Sequence, residues 1–286
     1  MTGFRPRLAL LGGALLLLAA GCAQATSSTP GDTPAPDLAA DQVAIRVAYT
    51  GGFVGPGVTL TRLPLLAIYG DGRVFNEGPV PAIYPGPALP NIQISQITPG
   101  DVAKLVDRAV AAGVGKKTDF GRPGIADATS TRFTVLTANG TQTTEVYALQ
   151  EAQDNGLTAD QRAAREKFKG LLADLTDLDA TLGVHLQPKP YTADGVAAIG
   201  FEYNADGQLP QQKEMTWPGP ALPGAVVGDG PVRCVAVTGA DAKAVLDAAA
   251  QANQMTPWES GGKRWNVTFR PLLPGEEGCA SLAQAQ

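Results

Sequence analysis

The segment Pro85-Gly86-Pro87-Ala88-Leu89-Pro90 recurs unchanged as Pro218-Gly219-Pro220-Ala221-Leu222-Pro223, and the residues flanking the two copies decide the fold. Upstream, the turn Asp71-Gly72 follows a strand-like run bearing Tyr69, and Asp206-Gly207 follows one bearing Phe201 and Tyr203. Downstream, Ile92-Gln93-Ile94 leads to Thr98-Pro99-Gly100-Asp101, as Val232-Arg233-Cys234 leads to Thr238-Gly239-Ala240-Asp241. Val102, Leu105, Val106 and Ala109 then fall at helical spacing, matched by Ala242, Val245, Leu246 and Ala249. Hairpin, Pro-rich crossing, strand, helix and final strand recur in one order, which predicts a tandem duplication. The expected fold is α+β: two related units, each an antiparallel sheet with one packed helix, joined by a long amphipathic helix. Each unit then has one sheet face to cover. One sheet shared by both units is the alternative.

Local signals fill in the rest. Val43, Ile45, Val47 and Tyr49 alternate with Ala44, Arg46 and Ala48, the period of a half-buried strand. Asp71-Gly72 and Asn139-Gly140, each between apolar runs, predict hairpins, because such turns need a positive φ. Thr98 is placed to cap the first helix, with Pro99 in its first turn. Thr158-Ala159-Asp160-Gln161 is a capping box, and Phe168, Leu171, Leu172, Leu175 and Leu178 share one face, which predicts the joining helix from Thr158 to about Thr181. The expected organisation is a signal peptide over 1–21, a disordered linker over 22–41, a first unit over 42–152, the connecting helix over 153–183, a second unit over 184–280 and a tail over 281–286.

The N-terminal residues predict an address. Arg5 and Arg7 precede an uncharged Leu-, Ala- and Gly-rich run, Leu8 to Ala20, of signal-peptide length and too short for a stable span. Leu18-Ala19-Ala20-Gly21-Cys22 resembles a bacterial lipobox with Ala19 where Leu is usual, so Cys22 is the expected lipidation site. Ala23 to Ala40, rich in Ser, Thr, Pro and Ala, lacks the apolar side chains needed to fold. As a flexible tether it reaches on the order of 25 Å. The predicted location is extracytoplasmic, lipid-anchored to the cell membrane.

Composition narrows the chemistry. Taking Arg5 and Arg7 from 22 basic residues leaves 20 against 27 acidic, a net charge of −7 without clustered Lys or Arg, so no nucleic acid is expected. Cys22 apart, the chain has two cysteines, Cys234 and Cys279, and one histidine, His185. That scarcity excludes most His- and Cys-built zinc sites, and neither metal nor cofactor is expected. Outside the cytoplasm the two cysteines read as one disulfide.

Gly51-Gly52-Phe53, Leu65 to Val74 with its Tyr69-Gly70-Asp71-Gly72-Arg73 core, Tyr84 to Pro90, and Arg270-Pro271-Leu272-Leu273-Pro274 to Cys279 together resemble uncharacterised lipoproteins of high-GC Gram-positive bacteria. The resemblance implies anchorage at the cell envelope and carries no activity, so no catalytic residue is transferred.

Motifs that suggest catalysis fail on their surroundings. Ser260-Gly261-Gly262-Lys263 has Ser-x-x-Lys spacing, but paired glycines oppose the helix that would set Lys one turn from Ser. The glycine-rich 51–57 segment lacks the Lys-Ser/Thr ending of a phosphate loop. Glu276-Glu277 reads as a solvated loop pair. Both Pro-rich crossings begin with an aromatic, Tyr84 and Trp217, and aromatics on rigid loops form low-entropy contact surfaces. The expected function is therefore a binding or interaction module at the cell envelope, for a protein, peptide or glycan. An exported enzyme acting on envelope material and a structural envelope component are the alternatives.

Overall fold

The computed structural model describes residues 38–284 except 56, 152–155, 205–211 and 229–230. Cys22, the signal and most of the linker lie outside the described residues, as does the turn Asp206-Gly207. The order begins β1 (Val43–Gly51), α1 (Val58–Thr61), β2 (Leu66–Tyr69), β3 (Arg73–Glu77), β4 (Ile92–Gln96), α2 (Pro99–Ala112), β5 (Thr129–Thr137) and β6 (Gly140–Tyr147). It continues with α3 (Ala159–Thr176), α4 (Leu178–Leu182), β7 (Lys189–Pro190), β8 (Gly195–Glu202), β9 (Met215–Thr216) and β10 (Ala225–Val226). β11 (Arg233–Thr238), α5 (Gly239–Ala249), β12 (Trp258–Ser260), β13 (Lys263–Pro271) and α6 (Cys279–Gln284) complete it. The fold is mixed α and β, with two sheets that are antiparallel except where β12 meets β9.

The first sheet runs β6-β5-β1-β2-β3-β4-β7 and the second β10-β11-β8-β13-β12-β9. In each, a strand, a helix and a later strand of the same direction bracket the strands between: β4–α2–β5 spans β1 to β3, and β11–α5–β13 spans β8. The β2–β3 hairpin has no counterpart among the described residues. β8, which carries Phe201, pairs instead with β11 and β13.

Short-range signals hold. Thr98 accepts from the Asp101 amide, and Thr158 and Gln161 form the reciprocal capping box. At Tyr69-Gly70-Asp71-Gly72 the Gly72 amide bonds the Tyr69 carbonyl at 2.9 Å, and only Gly72 has a positive φ, 88°. This is a type I turn closed by a glycine bulge, in place of a turn with positive φ at both centres. A Cβ on Gly72 would also collide with the Ile97 carbonyl.

The helix expected over 153–183 is interrupted. α3 ends at Thr176 because Asp177 leaves helical geometry at φ −123°, ψ 72°, and its carboxylate then caps α4 through the Ala180 amide. α3 does not stand between two units. With α2 it covers one face of the first sheet, where Phe168, Leu171 and Leu175 share a core with Ile45, Ile68, Val74 and Phe133. Arg165 sits in that apolar stripe yet is fully buried, donating to the carbonyls of Tyr147 and Ala148 and so fastening α3 to the end of β6.

Both faces of each sheet are covered, where the sequence suggested one. Ala67, Tyr69, Phe75 and Ile92 point away from the helices and pack on Leu273. Ala197, Ile199 and Cys234, on the second sheet's face away from α5, pack on Leu60, Leu272 and Leu282. The central layer is thus made of α1 and the C-terminal segment. Its polar centre is Glu276, which accepts from Arg46 on β1 at 3.4 Å and from Arg270 on β13 at 2.9 Å. Glu276 is not a solvated loop acid: its side chain is 11% exposed and that of Arg270 0%. Cys234 and Cys279 form a disulfide with Cα atoms 6.1 Å apart. It joins β11 to α6 and not two adjacent strands, because β8 lies between β11 and β13.

Two phenols tie this layer together. Tyr69 donates to the Pro274 carbonyl at 2.8 Å and Tyr191 to that of Leu272 at 3.0 Å. Burial, helped by the charge of Glu276, raises the Tyr69 hydroxyl well above its ordinary value. Tyr191 is pushed up to about 12, mainly by burial and then by Asp194. An acid whose folded pKa is raised gives stability that is complete below its unfolded pKa and lost as pH climbs through the folded one. Stability is therefore expected to be insensitive to these groups up to pH about 10 and to fall above it. Phenolate absorbance followed together with circular dichroism should show ionisation and unfolding in one transition. Tyr69→Phe and Tyr191→Phe together should uncouple them.

Candidate functional site

The two identical hexapeptides occupy different places. The first lies in a loop whose neck is closed by the Gly78 amide on the Asn91 carbonyl, 2.7 Å, and by the Asn91 side-chain amide on Pro79, 2.7 Å. Its second half docks on the second sheet's end of the molecule. Gln254 donates its amide to the Gly86 carbonyl at 2.9 Å, Ala88 to that of Ala252 at 3.2 Å, and Ala88 and Leu89 pack on the core around α5.

The first half of the loop is left in solvent. Val80 is 63% exposed, Ile83 62% and Tyr84 69%. Apolar side chains this exposed on neighbouring positions are unusual unless they meet something. Beneath them is a cleft of about 400 Å³, walled by Val80, Pro81 and Ile83 on one side and Leu63 and residues 267–269 on the other. Tyr84 reaches across to Met255, its hydroxyl 3.8 Å from the sulfur. The sequence placed Tyr84 at a contact surface, and it is exposed there.

Trp217 is not. It is 6% exposed, donates Nε1 to the Pro220 carbonyl at 2.6 Å, and meets Trp258 edge-on at 5.7 Å. The reason lies in the helices: two cover the first sheet, but α5 alone covers the second, so Trp217, Trp258 and Leu222 fill the remaining area. The two aromatics therefore do not form one surface.

Groups that suggested catalysis are dispersed. Ser260 and Lys263 are paired across the β12–β13 hairpin, with Gly261 and Gly262 at φ 64° and 75° as its turn. The Ser260 hydroxyl accepts the Leu222 amide. His185 is exposed beside Asp179 at 3.2 Å. Asp101 and Asp119 are lowered by hydrogen bonds from Thr98 and Gln161, one at each site. Burial would raise Glu145, but its bond to Arg132 leaves it lowered. Among the described residues no group of three His, Cys, Asp or Glu side chains is placed to hold a metal ion.

No protein family matches this chain, and neither a curated protein sequence nor a solved structure does.

Proposed function

We propose that the protein is a lipid-anchored extracytoplasmic binding module that presents the 79–84 half of its first Pro-rich crossing to a protein, peptide or glycan of the cell envelope. The observation that carries this reading is the exposure of Val80, Ile83 and Tyr84 above a cleft of mixed apolar and polar lining, on a loop whose neck is fixed. A preorganised loop loses little conformational freedom on binding, which favours association. Orientation supports it. Val43 pairs with Tyr69 at one end of the β1–β2 ladder, and the crossing leaves from Glu77, at the other end of β3. The described chain, beginning at residue 38, thus enters the first sheet at the end remote from the crossing. The same reading keeps tandem duplication as a proposal: it rests on the shared order of β4–α2–β5 and β11–α5–β13, since the hexapeptides themselves do not share a place. Kinship with actinobacterial-type envelope lipoproteins is likewise proposed on the motifs quoted above.

The test is photocrosslinking on intact cells, with a photoreactive residue at Ile83 and, as control, at exposed Lys243 on α5. Crosslinks are expected at position 83 only, in the membrane fraction, and lost with Tyr84→Ala. That variant should change stability by less than about 0.5 kcal/mol, as surface substitutions do. Trp217→Ala should instead cost about 3–5 kcal/mol as a core truncation. Cys22→Ser should leave the protein unprocessed or release it from the membrane. Equal labelling at both positions would remove the contact surface. A Cys22→Ser variant that still fractionates and takes up fatty acid as wild type does would remove the anchor.

A further inference from the structure

A second cavity, of about 580 Å³, opens between the first sheet and the junction of α3 with α4, within the size range of small-molecule sites. Its floor is apolar. Leu66 and Val74 face the helices from β2 and β3, and Leu175 and Leu178 face the sheet from either side of the Asp177 break.

The polar lining of the cavity is Asn76, Glu77, Ser95, Thr176, Asp177 and Asp179, of which three are acids. Ser95, paired with Val74 on the adjacent strand, is 6% exposed and lines the cavity, which puts its hydroxyl within reach of a ligand there. Asn76 donates its side-chain amide to the Glu77 carbonyl, which leaves its carbonyl oxygen for an incoming donor. Asp177 uses one carboxylate oxygen on the Ala180 amide. Asp179 completes the rim with both oxygens engaged, by the Leu186 amide and by His185. No lysine or arginine lines the space.

An apolar floor, acceptors at the edge, negative charge and no cation define the complementary ligand. We infer that this cavity binds a small amphiphile with a primary ammonium head, its hydrocarbon part on Leu66, Val74, Leu175 and Leu178 and its N–H donors shared by Ser95, Asn76 and Asp177. Glu77 borders both this cavity and the cleft beneath the crossing, but none of the residues assigned to the ligand lies in the crossing, so the two proposals can fail independently.

Calorimetric titration of the folded protein with n-octylammonium, n-octanol and n-octanoate, all below their aggregation concentrations, tests the assignment. Octylammonium is expected to bind saturably at one site, octanol at least about tenfold more weakly and octanoate more weakly still, since a full charge contact adds about that factor. Asp177→Asn keeps the cap of α4, because Asn also caps, and should weaken octylammonium about tenfold while leaving octanol unchanged. Ser95→Val should weaken it severalfold without lowering the melting temperature. Methyl signals of Leu66, Val74 and Leu178 should shift during the titration. Absence of saturable octylammonium binding, equal affinity for octanol or octanoate, or wild-type affinity in Asp177→Asn would each overturn the proposal.

Discussion

Glu276→Gln is expected to lower stability by about 3–5 kcal/mol, the range seen when one partner of a buried ion pair is removed. The carboxylate accepts from Arg46, from Arg270 and from the Leu273 amide, so its replacement leaves two guanidinium groups facing each other in the central layer. Arg270 has no access to water, and burial already pulls its pKa below the ordinary arginine value. A neutral amide cannot offset that charge. Glu277, the next residue, is exposed, and Glu277→Gln should change stability by less than about 0.5 kcal/mol. Denaturant unfolding followed by tryptophan fluorescence would compare the two variants. Equal midpoints would mean that the Glu276 network contributes nothing to stability.

Removing the disulfide is the second large effect. Cys234 and Cys279 are 45 residues apart, and opening a loop of that length costs about 4 kcal/mol in the chain-entropy description. The bond lies in the second half of the sequence, but the segment it pins serves both sheets. Leu273 packs under β2 and β3, and Glu276 reaches β1. Reduction should therefore weaken hydrogen-exchange protection in β1 to β3 as well as in β11. Melting with and without reductant gives the size of the effect, and exchange mapped by residue gives its reach. Loss confined to β8, β11 and β13 would show that the first sheet holds without the clasp.

How much of this was legible follows from the range of each signal. Caps at Thr98 and Thr158 and the turns at Gly72 and Gly140 involve residues a few positions apart, and the sequence states them directly. The disulfide was legible once Cys22 was read as the lipid site, which left Cys234 and Cys279 to pair. The central layer was not. Arg46 alternates with Ile45 and Val47, and Arg270 follows Phe269, so both read as the watery side of a half-buried strand. Alternation says that a strand has two kinds of face; it does not say what lies over the second. The helix break was hidden for a similar reason. The spacing of Leu171, Leu175 and Leu178 continues through Asp177, and only the capping choice of that one carboxylate interrupts it. Trp217 misled because exposure depends on how much helix covers the sheet, and α5 is 11 residues long where α2 and α3 are 14 and 18.

Apart from α1, the residues that separate the two sheets all follow the last strand. In a polypeptide that emerges from its N-terminus, both sheets and all their helices but α6 are available before Leu272 to Gln284 arrive. Until then Arg46 and Arg270 lack Glu276, Cys234 lacks Cys279, and the two inner faces lack Leu272, Leu273 and Leu282. Without residues 272–284 every strand would remain, but the two inner faces would lose Leu272, Leu273 and Leu282, and Arg46 and Arg270 would lose their shared carboxylate.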